Sequence, residues 1–385
     1  MIWRRDFWFL IGVVWLGAIT VLVLTAGAQR MATPASAARA TAPSATGAPS
    51  ATTPSATAPS ATAPGTGANV SILPAREHVY TITGPNPGLM QPAVDQHGDV
   101  WFGEMGNNLL GRLDPRSGHV QTWQPPRGQG GIMQAAVDTA GNVWFTEQVA
   151  NYIGRFDPAT QQFTEFPLER TNGNSAAPQD LAFDSAGTLW VTEITAGRIG
   201  RLVPTTGAIT TWLVPAPATG VRAYPFSLAL TPDGVPWFGY LAGGAIGKLD
   251  PASGQVTVYR VADTQAQVFS LAADTTGHLW FTELEQGKIG EVDARSGSVR
   301  EITVPPTLGS GSGLYAVTVL ANGDVWFACS GSNALVRYVP ASAAFSFYQL
   351  ASPASVPFGL ALDASGQLWF TADASPQNYV GVMRP

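Results

Sequence analysis

The sequence predicts an all-β fold, a seven-bladed β-propeller, from three observations. A hairpin motif with a Trp in its second strand recurs seven times, and consecutive Trp residues are 43 to 47 positions apart. Each copy contains four short strand-like segments, and a period of about 40–50 residues built from short strands is typical of propeller blades. One further strand-like segment precedes the first copy, whereas the last copy ends one segment short. The Trp residues of the motif are Trp101, Trp144, Trp190, Trp237, Trp280, Trp326 and Trp369.

In chain order, residues 1–30 predict a signal anchor or a signal peptide. Arg4 and Arg5 precede an uncharged run of 22 residues, Phe7 to Ala28, and about 20 apolar residues span a bilayer core. The arginines favour a cytoplasmic N-terminus, while Ala26 to Ala28 resemble a cleavage site. An uncleaved helix predicts an extracytoplasmic protein anchored to the cell membrane, and a cleaved one predicts a secreted protein.

The second segment, residues 31–74, consists largely of Ala, Pro, Ser and Thr, with near-repeats of PSATAPSATAPG. Such a composition cannot bury a hydrophobic core, and its prolines prevent a long helix. We therefore expect a disordered linker that separates the membrane segment from a propeller domain of residues 75–385.

Within the repeat, each segment has a predicted role. The first is small and apolar, as suits the innermost strand of a blade. The second carries Trp and Phe in succession, so that their side chains point to opposite faces and pack against neighbouring blades. The Gly of the third permits close backbone approach, and the fourth alternates apolar and polar residues. The segment Glu77 to Pro85 matches the fourth pattern, so we expect it to close the last blade and remove an open sheet edge.

The composition disfavours some classes of partner and of site. Only 12% of the residues are charged and the net charge is −6, which disfavours nucleic acid as a partner. The single cysteine, Cys329, excludes an intramolecular disulfide framework. No histidine is placed to activate it, so we interpret Cys329 as a small buried residue. We expect a monomer.

The repeat unit, written VWFTE, NYIGRFDP and FTEFPLE in the second copy, resembles the virginiamycin B lyase (streptogramin lyase) family over about residues 77–385. The resemblance implies a seven-bladed propeller. It also implies a magnesium-assisted elimination that opens cyclic streptogramin B depsipeptides at their ester linkage. Magnesium is thus the cofactor that the resemblance implies.

The family's catalytic residues are only partly matched. The family uses histidines at the start of the innermost strands of the last two blades, where this chain has Tyr315 and Phe358. It also uses a glutamate just beyond the last Trp-Phe, for which Asp373 is an approximate counterpart. Tyr315 and Asp373 are therefore the catalytic candidates, but the imidazole that would abstract a proton is missing. Two functions stay open, a binding propeller and a magnesium-dependent C–O lyase.

The axial mouth of the propeller is the first candidate site. The residues eleven positions before each Trp should form one ring there, rich in aromatic side chains. They either bind a small molecule or peptide by stacking or plug the channel. Loops between blades surround the same mouth, and Arg222 and Tyr224 are their most distinctive residues. The ring consists of Met90, Met133, Gln179, Phe226, Phe269, Tyr315 and Phe358.

An acidic row is the second candidate site. Glu104, Glu147, Glu193 and Glu283 each lie three residues after a Trp. Extrapolating the hairpin places them opposite Gln91, Gln134, Asp180 and Ser270, so that Asp180 and Glu193 are expected to be adjacent. Two carboxylates can bind a hard cation, which makes Asp180, Glu193 and Asp373 the metal-ligand candidates. The alternative is that each Glu forms a hydrogen bond to neighbouring backbone or to the Arg or Lys in the next blade.

Overall fold

Each sequence repeat folds into one sheet, because four consecutive short strands pair antiparallel in chain order. A computed structural model describes residues 69–84, 87–128, 130–306, 312–353, 355–373 and 378–385, which form seven sheets. The predicted membrane segment, residues 1–30, and the linker up to residue 68 lie outside the described residues. Among the described residues, no helix has the length and apolar character needed to cross a membrane. The seven-bladed propeller is confirmed.

The first three blades are complete four-stranded sheets. In order from the innermost strand, they are β3 (Ala93–Val94), β4 (Val100–Glu104), β5 (Leu109–Asp114) and β6 (His119–Trp123); β7 (Ile132–Val137), β8 (Val143–Glu147), β9 (Tyr152–Asp157) and β10 (Gln162–Pro167); and β11 (Pro178–Phe183), β12 (Leu189–Glu193), β13 (Arg198–Val203) and β14 (Ala208–Leu213).

The remaining blades follow the same order. They are β15 (Pro225–Leu230), β16 (Pro236–Tyr240), β17 (Ala245–Leu249) and β18 (Val256–Arg260); β19 (Val268–Ala273), β20 (His278–Glu283), β21 (Lys288–Asp293) and β22 (Val299–Thr303); β23 (Leu314–Val319), β24 (Val325–Cys329), a 3-10 helix (Ser330–Ser332), β25 (Ala334–Val339) and β26 (Ala344–Gln349); and β27 (Val356–Leu362), β28 (Leu368–Asp373) and β29 (Asn378–Met383).

Two N-terminal strands complete the last two blades. Strand β2 (His78–Ile82) pairs antiparallel with β29, which confirms the predicted closure of the seventh blade. Strand β1 (Val70–Pro74) adds in parallel to the outer edge of β26 as a fifth strand of the sixth blade. Strand β1 lies within the segment predicted as linker, so regular structure begins before residue 75.

Every innermost strand except the short β3 carries an irregularity that positions the axial residues. Strand β11 shows it clearly, since Leu181 pairs with Val191 but Pro178 pairs with Glu193. The hydroxyl of Thr192 lies at this bulge, accepting from the Asp180 N–H at 3.0 Å and donating to the Phe226 carbonyl of the next blade at 2.8 Å. One threonine therefore fixes the bulge in its own blade and ties it to the following innermost strand.

The hydrophobic core consists of seven clusters that lie largely between adjacent blades. Trp144 packs with Leu181 and Val191 of the third blade, while Phe145 packs with Trp101 of the first. The opposite orientation of the two aromatic residues is thereby confirmed. A Cβ atom at Gly154 would overlap with the ring of Phe145, which explains the recurring glycine of the third strand.

In the first, second, third and seventh blades the motif Asp accepts a hydrogen bond from the indole of the motif Trp. In the third blade, Asp184 accepts from Trp190 Nε1 at 3.0 Å and from the N–H groups of Ala186 and Thr188 at 3.0 and 2.9 Å. In the fourth blade the Asp is replaced by Thr231, and the buried indole nitrogen of Trp237 has no partner among the described residues.

Candidate functional site

A cavity of about 210 Å³ lies on the propeller axis, at the end where the innermost strands begin. Five of the seven predicted ring residues line it, because the bulge places them facing the axis. Met90 and Tyr315 do not line it and are only 1% and 5% exposed. The lining consists of Gln91, Met133, Gln134, Gln179, Asp180, Leu181, Ala182, Phe226, Leu228, Phe269, Ser270, Leu271, Ala316, Val317 and Phe358.

An aromatic arc forms one side of the mouth. The ring of Phe269 lies 4.9 Å from that of Phe226, 5.2 Å from that of Tyr315 and 5.8 Å from that of Phe358, centroid to centroid. The rings of Tyr315 and Phe358 are 4.9 Å apart. These contacts connect four successive blades, so the arc partly fills the mouth and leaves the cavity beside it.

A polar arc forms the other side, and most of its members hold neighbouring strands together. Gln91 Nε2 donates to the Leu360 carbonyl at 2.7 Å. Asp180 Oδ2 accepts from the Leu228 N–H at 2.8 Å, and Ser270 Oγ accepts from the Val317 N–H at 3.1 Å.

Two glutamines of the polar arc differ in whether their side chains form a hydrogen bond. Gln179 accepts from Gln148 Nε2 at 2.6 Å. Gln134 lines the cavity with a side-chain amide that makes no hydrogen bond within the described residues. The sequence analysis named Gln91, Gln134 and Ser270 only as residues opposite the acidic row, and not as part of the axial site. Their shared position, ten residues before a Trp, was the signal that could have placed them at the axis.

The predicted register of the acidic row is wrong. Glu193 pairs with Pro178, and the corresponding partners of Glu147 and Glu283 are Ile132 and Val268. The bulge shifts each partner to the twelfth residue before the Trp. Asp180 and Glu193 are consequently not opposite each other, and Asp180 faces the axis.

The acidic row is buried and only partly paired. Glu193 accepts from Arg198 at 2.7 Å, on the adjacent strand of the same blade, and Glu104 accepts from Asn107 at 2.7 Å. The carboxylate oxygens of Glu147 and Glu283 have no hydrogen-bond partner within the described residues. Burial, reinforced by a neighbouring glutamate in each case, raises the pKa of Glu147 to about 7 and that of Glu283 to about 8.

The metal-ligand candidates do not fit a magnesium ion. Asp180 lies on the innermost strand of the third blade and lines the axial cavity, Glu193 is paired with Arg198, and Asp373 lies in the seventh blade. In the described part of the chain, no three His, Cys, Asp or Glu side chains converge. Magnesium favours several oxygen ligands in octahedral geometry, and these residues do not supply such a set together.

The two catalytic candidates differ in their suitability for proton transfer. Burial raises the pKa of Tyr315 to about 12, which makes its hydroxyl a poor acid or base near neutral pH. Burial raises the pKa of Asp373 to about 6, which suits a general base, but Asp373 does not line the axial cavity. Among the described innermost strands none contains a histidine; His78 and His119 lie on outer strands. His278 begins the second strand of its blade and contacts Glu291 at 2.6 Å.

The loop candidates Arg222 and Tyr224 contact each other outside the cavity lining. The Arg222 guanidinium lies 5.6 Å from the centre of the Tyr224 ring. A larger open groove of about 730 Å³ lies along Glu169, Arg198 and Trp212, where Arg198 is already paired with Glu169 and Glu193. Neither feature brings free polar groups to the axis.

Cys329 is fully buried, and burial raises the pKa of its thiol. Its interpretation as a small interior residue is consistent with this placement, because a reactive cysteine needs a lowered thiol pKa and exposure.

Comparisons with known proteins agree on the fold. Virginiamycin B lyase from Staphylococcus aureus is similar with a TM-score of 0.72 and 24% identity, covering 80% of this chain and 99% of that one. A streptogramin B lyase is similar with a TM-score of 0.71 and 25% identity, covering 80% of this chain and 96% of that one. The extracellular domain of a protein assigned as a one-component system from B. thetaiotaomicron has a TM-score of 0.62 and 18% identity, covering 80% of this chain and 43% of that one. A comparison with curated proteins finds no significant match.

The family comparison covers nearly the whole propeller. Residues 75–378 match the family model described as the virginiamycin B lyase family. The matched range runs from just before β2 to the first residue of β29, and it therefore includes the closing strand, six complete repeats and the first two strands of the seventh. The chain belongs to the virginiamycin B lyase family.

Proposed function

We propose that the chain is an exported propeller that binds a small molecule or peptide at its axial cavity, without the lyase chemistry named for its family. One observation carries this proposal. The two positions at which the family resemblance implies catalytic histidines hold Tyr315 and Phe358, whose rings pack against each other 4.9 Å apart.

An elimination requires a base within reach of the substrate. Phe358 has no titratable group, and the Tyr315 hydroxyl belongs to a side chain that is 5% exposed and does not line the cavity. Ligand binding does not require a base. A concave site with apolar walls and a few convergent polar groups is the usual form of a ligand pocket.

The proposal is tested by screening single-ring fragments against the full chain with ligand-observed NMR. The comparison variant is Gln134→Trp, which fills the cavity from the polar arc. Its matched control is Gln121→Trp, at an exposed glutamine on β6. We expect fragments that bind the parent and the control but not Gln134→Trp. Axial binding would be rejected if no fragment bound, or if binding survived in Gln134→Trp.

The second candidate function is a magnesium-dependent C–O lyase, favoured by the family match over residues 75–378. It requires Asp373 or Tyr315 to act as the base. Ring opening of a streptogramin B depsipeptide distinguishes it from the binding function.

We also propose that residues 1–30 export the chain and remain as a membrane anchor. The support is the uncharged run of 22 residues from Phe7 to Ala28, which matches the thickness of a bilayer core. Carbonate extraction of membranes from cells expressing the full chain should leave it in the pellet. Release of a chain whose N-terminus starts near residue 29 would show cleavage instead.

A further inference from the structure

Building on the proposed axial binding, we infer that the axial cavity takes a small organic cation, a single-ring or short alkyl amine whose ammonium group meets Asp180 while its apolar part lies against the phenylalanine arc.

The size of the cavity limits the ligand. Its volume is about 210 Å³, and each water in liquid occupies about 30 Å³. Pockets for drug-sized molecules are usually about 300–1,000 Å³. One ring with a short substituent fills the space, whereas a cyclic depsipeptide would have to bind outside it.

The cavity lining contains an acidic residue and, among the described residues, no basic one. Asp180 is the single ionisable residue in the lining, and no Lys, Arg or His among the described residues joins it there. Asp180 also forms no ion pair with any described residue. A buried carboxylate without a counter-charge is unfavourable, so a cationic ligand supplies the charge that the protein does not.

Asp180 keeps the capacity to bind that ligand. Each carboxylate oxygen accepts one backbone N–H, from Leu181 at 2.8 Å and from Leu228 at 2.8 Å. A carboxylate has about four acceptor positions, so one on each oxygen remains. The two existing bonds hold the side chain in place, which lowers the entropy lost on binding.

Aromatic side chains lie at the same place. Leu228, which donates to Asp180, is two residues beyond Phe226 on β15, and Phe226 continues the arc to Phe269 and Phe358. Aromatic faces attract cations by about 0.5–2 kcal/mol. The carboxylate and the aromatic rings both favour a positive ligand.

The test compares three probes of one shape and different charge: benzylamine, benzyl alcohol and benzoate. Each is titrated calorimetrically into the full chain in an uncharged detergent. We expect benzylamine to bind at least about ten-fold more tightly than benzyl alcohol, from an ion pair strengthened by burial, and benzoate not to bind. This comparison uses the parent chain and does not depend on a variant folding.

Two variants test whether Asp180 is the residue that recognises the ammonium group. Asp180→Asn should remove the preference for benzylamine, whereas Asp250→Asn, at a turn carboxylate outside the cavity lining, should keep it. The inference is overturned if benzyl alcohol or benzoate binds as tightly as benzylamine, or if the preference persists in Asp180→Asn. Binding of a neutral or anionic probe that is lost in Gln134→Trp would overturn the ligand class and leave axial binding standing. Binding of none of the probes also overturns the inference, and the fragment screen then decides on axial binding separately.

Discussion

Replacement of Asp184 by Ala tests the hydrogen bond that holds the motif Trp of the third blade. Asp184 accepts from Trp190 Nε1 at 3.0 Å, and Trp190 is 3% exposed, so the indole N–H would lose its only hydrogen bond in a buried place. An unsatisfied buried donor costs about 1–3 kcal/mol. The two backbone N–H groups that Asp184 also binds lie in a turn, where water can replace the carboxylate. We therefore expect Asp184→Ala to lose about 2–3 kcal/mol.

The assay is thermal unfolding followed by circular dichroism. That loss corresponds to a fall in Tm of about 4–12 °C, at the roughly 2–4 °C per kcal/mol typical of domains of about 150–250 residues. Asp157→Ala is the matched control, because Asp157 accepts from turn N–H groups at 2.9 and 3.3 Å and, among the described residues, from no Trp indole. The reverse change is Thr231→Asn, which offers an acceptor to the unpaired Trp237 indole and should add about 1 kcal/mol. The reasoning is refuted if Asp184→Ala costs no more than Asp157→Ala.

Three further predictions concern pH, the bulge and ring closure. The pKa of Glu283 is raised from 4.5 to about 8, so the folded state binds more protons and stability falls as pH rises from about 4.5 through 8. Glu283→Gln should stabilise the protein at pH 9 by about 3 kcal/mol and little at pH 4, and equal effects at both pH values in urea titrations would contradict this. Thr192→Val removes the hydrogen bonds that the Thr192 hydroxyl makes with the Asp180 N–H and the Phe226 carbonyl and should cost about 2–4 kcal/mol in the same titration; no loss would show that the threonine does not stabilise the bulge. Deleting residues 75–85 removes β2 and should abolish cooperative unfolding in calorimetry, whereas a deletion variant that stays soluble and unfolds cooperatively would rule out the closure.

The fold was predictable because its information is local and repeated. A Trp every 43 to 47 residues and strand patterns around it determine the blades, and counting strand segments was enough to identify β2 as the closing strand. Strand β1 was missed although VSILP contains apolar residues, since its partner β26 lies about 275 residues further along the chain. Pairing at that distance leaves no local signal.

The site was predictable in position but not in detail. Counting eleven residues back from each Trp located the ring, yet side-chain packing across the axis decided that Tyr315 would be covered and Phe358 would line the cavity. The register of Glu193 was wrong because β11 carries a bulge, where the Thr192 hydroxyl bonds to two different blades. The recurrence of Thr two residues after the Trp was the signal that could have revealed it.

The central claim is that this propeller keeps the family's scaffold and binds at its axis without lyase chemistry. The most direct measurement is mass spectrometry of a streptogramin B depsipeptide incubated with the full chain and Mg²⁺. We predict a spectrum of intact cyclic substrate, identical to a sample without protein. Ring opening that disappears in Asp373→Ala or Tyr315→Phe would contradict the claim and establish the lyase function.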